Sequence, residues 1–342
     1  MTGKPEFDSR ETVFDLLKGI GILFVIIGHS DIGPLNAFIN SFHMPLFFFI
    51  TGYFLKKRSI SQEIRLCVQR LLVPYLFTAF GICVVCISFN IANHGPFREE
   101  IIIRFLFGFY GTVFPDWIAG TIGVLWFILA LFWARIIASV SLLITEVIQK
   151  KWFKYVTQCF MFICFAEFGI FLEDNFSIPF CIPQGFAASG FVYIGYIIKK
   201  FNVFHDDETK YYFPILAALF FFSWNHGGMS VASSVYPIGY VFGLLGAAGA
   251  FVTFFHVVKQ LYSANSRIWR MVLFFGRYSL IIYCVHSVDP PNDIWKTFVS
   301  QLNIPSEYFN LFQISVRLAI VFGATCLILK IPLIRRHVFQ IK

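Results

Sequence analysis

Two ionisable side chains in the first apolar stretch of the chain have the spacing that places them on one face of a helix. Lys18 and His29 lie in a segment that otherwise has the composition of a membrane helix. Their separation corresponds to about three helical turns and a rise of about 16 Å, so they share a face near opposite ends of the span. Asp15, three positions before Lys18, joins that face. Ionisable groups in hydrocarbon cost about 2.5–3.5 kcal/mol each on insertion scales, which favours a functional interpretation. The structural alternative is a lysine that extends to the interface and a histidine at the helix end.

A second histidine is expected close to the first. The second apolar span opens with Phe42-His43-Met44-Pro45, and a short connection separates it from His29. Imidazole titrates near neutral pH, so two histidines that meet near one membrane surface predict proton transfer. Two unrelated interfacial histidines are the alternative.

A cluster of cations follows the second span. Residues 56–70 contain five of them: Lys56, Lys57, Arg58, Arg65 and Arg70. Membrane orientation, anionic lipid headgroups and a phosphate-bearing cytosolic ligand would each explain such a cluster. The sequence pattern does not separate these three explanations.

The composition is that of an all-α, polytopic integral membrane protein. Of its 342 residues, 58% are hydrophobic and 13% are charged, whereas soluble domains carry roughly 25% charged residues. We expect a single transmembrane domain over residues 1–342 with about ten transmembrane helices. The predicted spans are 12–31, 42–55, 70–92, 121–145, 155–172, 180–198, 212–224, 235–258, 271–289 and 311–332.

The distribution of charge predicts the orientation and argues against a nucleic-acid partner. The net charge of +8 comes from basic residues in short loops between apolar spans. Alternate loops carry most of the lysine and arginine, so the positive-inside rule places both termini in the cytoplasm. The Lys18 end of the first span then faces the cytoplasm and the His29 end faces outward. Three further ionisable groups inside spans, Arg135, Glu167 and Arg317, are expected to form structural pairs, with an external acceptor site as the alternative.

Five segments in order resemble the acyltransferase-3 family of membrane O-acyltransferases, in particular its fucose 4-O-acetylase-like branch. They are Asp15-Leu-Leu-Lys18-Gly19 followed by His29, Phe42-His43-Met-Pro45 through Phe54, Arg70-Leu-Leu-Val-Pro74-Tyr75, Leu125-Trp126-Phe127, and Gly276-Arg277-Tyr278-Ser279 through Tyr283 and His286. Members often have a second arginine three positions before the one that matches Arg70, where this chain has Cys67. Lys56, Lys57 or Arg58 is therefore expected to supply the second cation.

The resemblance implies an enzyme and names its reactants. It implies transfer of an acyl group, acetyl foremost, from acyl-CoA at the cytoplasmic side to a hydroxyl of a cell-surface or lipid-linked glycan. Acetyl-CoA is the expected donor, and no metal is expected. The expected location is the bacterial inner membrane, with membrane lipids, the glycan or lipid-linked sugar acceptor and proteins of polysaccharide assembly as partners.

The resemblance also implies roles for individual residues. His29 is expected to act as general base or to carry the acyl group, and Asp15 and Lys18 to form an ion pair along the donor's path. Donor binding falls to the cations Arg70, Arg65, Lys56, Lys57 and Arg58. Acceptor binding or proton transfer falls to His43, Trp126 and His286. A transporter or flippase of a lipid-linked sugar, and a non-catalytic partner in polysaccharide assembly, are the competing functions.

Overall fold

The computed structural model describes residues 10–30, 36, 38–39, 42–92, 99–109, 122–204, 209–288 and 308–341. Their α-helices are α1 (Arg10–Gly28), α2 (His43–Tyr53), α3 (Ile60–Cys67), α4 (Val73–Ala92), α5 (Glu99–Phe107), α6 (Trp126–Ile144), α7 (Lys151–Asn175), α8 (Ile182–Lys200), α9 (Thr209–Asn225), α10 (Tyr240–Leu261), α11 (Arg267–Arg277), α12 (Ser279–His286) and α13 (Phe309–Lys330). One π-helical turn, Val68–Leu72, joins α3 to α4, and a second, Ile334–Val338, follows α13.

The all-α prediction is confirmed, whereas the predicted number of spans is not. Each of the ten predicted segments overlaps at least one of these helices, the ninth overlaps both α11 and α12, and the described ranges hold no β-strand. By length and apolar composition, however, five helical segments are able to cross a membrane, or six when α11 and α12 are taken as one bent span. The five segments are Ile60–Ser88, Gly123–Val147, Lys151–Asn175, Tyr240–Leu261 and Phe309–Lys330.

Two of the other predicted spans, 42–55 and 271–289, depart from the simple membrane-helix pattern for identifiable reasons. Helix α2 has 11 residues, which is about 16 Å of helix and too short to cross the hydrocarbon core alone. Helices α11 and α12 meet at a bend of 77° after Arg277. Both features are tolerated where the helices are covered by other protein segments.

Helix α1 lies inside the bundle and packs against α2, α10, α11, α12 and α13. Its apolar face is almost completely buried, with Phe14, Leu17 and Ile26 at 1% exposure or less. The Phe14 ring lies among other aromatic rings, including those of Tyr53 and Phe255 at centroid distances of 4.4 and 5.5 Å. The functional residues of α1 are therefore held by a densely packed helix.

Glycines of the sequence motifs mark the points where helices cross most closely. A Cβ atom on Gly276 would overlap the main-chain carbonyl of Asp15, and one on Gly19 would overlap that of Val272. In the same way, Gly52 of α2 lies directly against the carbonyl of Val192 in α8. Small residues allow such close backbone contact in membrane proteins. The glycine next to Lys18 therefore fixes where α1 crosses α11.

Candidate active site

The predicted ion pair at one end of α1 is present. Lys18 Nζ lies 2.6 Å from Asp15 Oδ1, and both side chains are about one quarter exposed. Arg277, the last residue of α11, approaches the other carboxylate oxygen of Asp15 at 3.7 Å through its Nε. The close crossing at Gly19 and Gly276 brings this second cation to Asp15.

Lys18 lines a cavity of about 340 Å³, which we call the basic cavity. Its polar lining includes Lys18, Arg70, Arg135, Thr51 and Ser279. Arg70 lies in the π-helical turn Val68–Leu72. Such single turns shift the register of a helix and are frequent at functional sites. Three cations from α1, the π turn and α6 thus line one cavity.

Arg135, which lines the basic cavity, is bound by a buried carboxylate, Glu63, that the sequence did not indicate. Its Nε donates to Glu63 Oε1 at 3.0 Å, and its Nη2 contacts the same oxygen. Arg58 Nη1 donates to the other oxygen of Glu63 at 3.1 Å. Glu63 is 2% exposed, so the two guanidinium groups provide the charge compensation that a buried carboxylate requires. Arg135 therefore has a structural partner and still lines the cavity.

The structure separates the five cations predicted to bind the donor. Arg70 lines the basic cavity, whereas Arg58 is engaged by Glu63 and Lys57 forms an ion pair with Glu146. Lys56 lies beside a separate small cavity of about 20 Å³, and Arg65 is exposed and lies outside the basic cavity. Arg135 from α6 is therefore the arginine that lines the basic cavity together with Arg70. Lys56, Lys57 and Arg58 line the small cavity instead, and their expected part in donor binding stays a prediction.

The opposite end of α1 meets a second cavity of about 160 Å³, which we call the histidine cavity. His29, His43 and Trp126 line it, so the two histidines that were expected to lie close together share one cavity. His43 Nδ1 lies 2.7 Å from the Ile39 carbonyl oxygen, so this nitrogen carries a proton and donates. That hydrogen bond leaves Nε2 of His43 as the acceptor nitrogen.

His286 lies beside His29 rather than on the cavity surface. The two ring centroids are 5.3 Å apart, and the His286 side chain is 3% exposed. Its Nδ1 has no hydrogen-bond partner among the described residues. This position suits contact with His29 and does not suit direct acceptor binding, which was one of its predicted roles.

Arg317 of α13 binds the end of α1 that carries His29. Its Nη1 donates to the main-chain carbonyl of His29 at 2.8 Å and to Ser30 Oγ at 2.9 Å. Carbonyl groups in the last turn of a helix lack partners within the helix, and a cation there also stabilises the helix dipole. Arg317 thereby fixes the main chain at His29.

Glu167, the third intramembrane group, is exposed on α7 and lies outside both cavities.

The two cavities adjoin each other. Met44 and Tyr283 contribute to the lining of both. Met44 and Tyr283 therefore lie next to a ligand in either cavity. The arrangement is suited to a reaction between two molecules bound side by side.

Two comparisons with known proteins gave a match. Residues 12–333 match a family model described as an acyltransferase domain, acyltransferase-3. The nodulation protein NolL of Mesorhizobium japonicum is 36% identical over 86 residues, a match that covers 20% of this chain and 23% of the relative. The matched part thus spans about a quarter of that relative's length. No solved structure matches the chain significantly.

Proposed function

The chain belongs to the acyltransferase-3 family of membrane acyltransferases, and we propose that it transfers an acetyl group from acetyl-CoA to a hydroxyl of a cell-surface or lipid-linked glycan. The observation that carries the proposal is the pair of adjoining cavities. One is lined by three cations and the other by two histidines, and they meet at Met44 and Tyr283. A phosphate-bearing donor suits the first, and proton transfer from a hydroxyl suits the second.

The donor's phosphate groups are proposed to bind in the basic cavity. Arg70 and Arg135 offer planar guanidinium groups, which match phosphate oxygens in a bidentate manner. The hydrogen bonds of Arg135 to Glu63 use Nε and Nη2, which leaves its Nη1 for a ligand. Lys18 adds a third cation that is steadied by Asp15. The long pantetheine arm then extends along α1 and carries the thioester toward His29, about 16 Å away.

His29 is proposed to act as a general base in direct transfer. It accepts the proton of the acceptor hydroxyl while that oxygen attacks the thioester carbonyl carbon. A carbon–oxygen bond forms, the carbon–sulfur bond breaks, and the departing thiolate takes the proton from the His29 imidazolium. Adjoining cavities allow donor and acceptor to be bound together, which favours this route over an acetyl-enzyme.

The proposed orientation follows the distribution of charge. The connection that carries Lys57 meets the end of α6 through the pair with Glu146, and Lys199 and Lys200 end α8. Lys199 Nζ lies 5.8 Å from the ring centroid of Tyr53, the last residue of α2, and that ring lies 4.4 Å from the ring of Phe14, next to Asp15. These cations therefore lie toward the Lys18 end of the bundle. We therefore assign that end and both termini to the cytoplasm, in the inner membrane of a bacterium.

The test is turnover by the purified protein in nanodiscs. Radiolabelled acetyl-CoA is added with and without a cell-envelope glycan fraction, and released CoA and labelled glycan are measured. We expect acceptor-dependent CoA release that is lost in Lys18→Met. A CoA release rate equal to that of empty nanodiscs, with or without glycan, would refute the enzyme and favour a transporter of lipid-linked sugar.

A further inference from the structure

One wall of the histidine cavity is a small hairpin in the connection between α9 and α10. The main chains of Ser230 and Val235 exchange two hydrogen bonds of 2.9 Å each. Met229, Ser230, Val231 and Ala232 line the cavity together with His29, His43 and Trp126. We call residues 229–235 the cavity hairpin. A ligand beside the two histidines would therefore contact the cavity hairpin.

The cavity hairpin is internally ordered. The Ser230 hydroxyl donates to Ser233 Oγ at 3.1 Å and accepts from the main-chain N–H of Ser233 at 3.2 Å. Ser234 adopts a left-handed conformation with φ of 52°, which costs energy in a residue with a Cβ and is kept where the surroundings enforce it. Met229 and Val231 are 4% and 3% exposed and so belong to the core.

A buried amide anchors the hairpin to the helix bundle. Gln184, near the start of α8, is fully buried, and its Nε2 donates to the Ala232 carbonyl at 3.1 Å and to Glu173 Oε2 at 2.8 Å. The Glu173 carboxyl oxygen and the Ala232 carbonyl oxygen both accept from the amide nitrogen of Gln184, which has two N–H groups to donate. This pairing directs the second N–H of the amide at the hairpin.

Burying the Gln184 amide is unfavourable for the stability of the fold. Oε1 of Gln184 is buried and has no hydrogen-bond partner within the described ranges. A buried acceptor without a partner destabilises the folded protein, and Glu173, at 2% exposure, adds a second polar group to the interior. An apolar side chain at position 184 would avoid the unpaired oxygen, but it would also remove the donor that Glu173 and the Ala232 carbonyl share. The amide is thus suited to holding the Ala232 carbonyl in a defined place.

We propose that the cavity hairpin determines which acceptor the enzyme uses, and that Gln184 is the residue that positions it. The inference rests on the acyl transfer proposed above. A carbohydrate presents hydroxyl groups next to the reacting one, and the Ser230 hydroxyl and the hairpin main chain are placed to bind them. Trp126 supplies an aromatic surface in the same cavity, of the kind that packs against a sugar ring. Gln184 contacts the hairpin rather than the cavity, so it acts through Ala232.

The test compares two substitutions of buried amides. Gln184→Leu removes the anchor. Gln158→Leu is the matched control, because Gln158 is 1% exposed and hydrogen-bonds to Thr145 and Tyr193, about 22 Å from Glu173 along α7. Acetyl-CoA hydrolysis without acceptor and transfer to a panel of methyl glycosides (deoxyhexose, hexose and N-acetylhexosamine) are measured in nanodiscs. Hydrogen–deuterium exchange of residues 229–235 reports on the hairpin itself.

We expect Gln184→Leu to raise the KM for the preferred glycoside about tenfold and to reduce the preference among glycosides, because binding is lost rather than chemistry. Its acetyl-CoA KM should change less than about twofold, exchange in the hairpin should increase, and Gln158→Leu should change none of these. A hairpin that exchanges faster while the glycoside KM stays the same would overturn the proposal, as would equal effects of the two variants on that KM.

Failure of the proposed function would look different. Wild-type protein without acetyl-CoA turnover would remove acyl transfer, and the acceptor role of the hairpin with it. If Gln184→Leu does not fold, Ser230→Ala takes its place, since it deletes a hydroxyl at the cavity and keeps the main-chain pairing with Val235. An unchanged glycoside KM in that variant would also overturn the proposal.

Discussion

Replacing Arg135 by glutamine tests the donor site most directly. The structure places this guanidinium between Glu63 and the basic cavity, where Lys18 and Arg70 also lie. Hydrogen bonds to charged groups contribute about 1.5–3 kcal/mol, which corresponds to roughly 10-fold to 150-fold in affinity. Arg135 is 15% exposed and therefore partly screened by solvent, so we expect the lower part of that range. The KM for acetyl-CoA should rise about 10-fold to 30-fold.

The assay separates phosphate recognition from a structural effect by changing the donor. Acetylpantetheine carries the same thioester and arm as acetyl-CoA and lacks the phosphates. Arg135→Gln should leave its KM unchanged, because the lost contact does not exist in that substrate. Arg65→Gln is the control. Arg65 lies in the same helix as Glu63, is exposed and does not line the basic cavity.

Two results would refute the reasoning. An equal rise of KM for both donors would show that Arg135 acts by supporting Glu63 and the fold of α3. An unchanged KM for acetyl-CoA would show that the phosphates bind elsewhere, for example at Lys56 and Lys57. Thermal unfolding of the variant in detergent serves as the check on Glu63, which keeps Arg58 as a partner.

Four further predictions address the remaining parts of the site. His29→Ala should abolish transfer while the protein still inserts and folds; turnover that persists would remove His29 from the chemistry. Lys18→Arg should keep part of the activity, whereas Lys18→Met should lose nearly all of it. Lys18→Met should still fold, because Arg277 remains 3.7 Å from Asp15. The KM for the donor and the yield of protein in the membrane fraction are measured for both. Incubation with radiolabelled acetyl-CoA in the absence of acceptor should leave the protein unlabelled, and stable labelling would contradict direct transfer. Reporter fusions at the C-terminus should report a cytoplasmic location, and an external one would reverse the proposed orientation.

The helical membrane fold was predictable because its signal is local. Apolar runs of the right length identify membrane helices without knowledge of their neighbours, and each predicted segment overlaps a helix. The number of spans was not predictable in the same way. Whether α2 and the bent pair of α11 and α12 cross the membrane depends on which other helices cover them, and hydropathy along one segment does not contain that information.

The candidate site was predictable where its residues share one helix. The spacing of Asp15, Lys18 and His29 fixes their common face, and the structure has the ion pair that this spacing predicts. The partners of Arg135 and Arg317 were not accessible, because Glu63 is 72 positions from Arg135 and His29 is 288 positions from Arg317. Their assignment as structural pairs was correct in kind, but chain separation of this size leaves no periodic signal to identify the partner.

Helix α12 explains why the late sequence motif has its particular spacing. Ser279, Tyr283 and His286 follow each other by four and then three positions, which places them on one face of a helix. Ser279 lines the basic cavity, Tyr283 lines both cavities, and His286 lies beside the ring of His29. The bend of 77° follows α11, both α11 and α12 contact α1, and Gly276 permits the close contact of α11 with the Asp15 main chain. One short helix thus runs beside α1 from the ion pair to the histidine, so a displacement of α12 would alter the donor cavity and the position of His286 together.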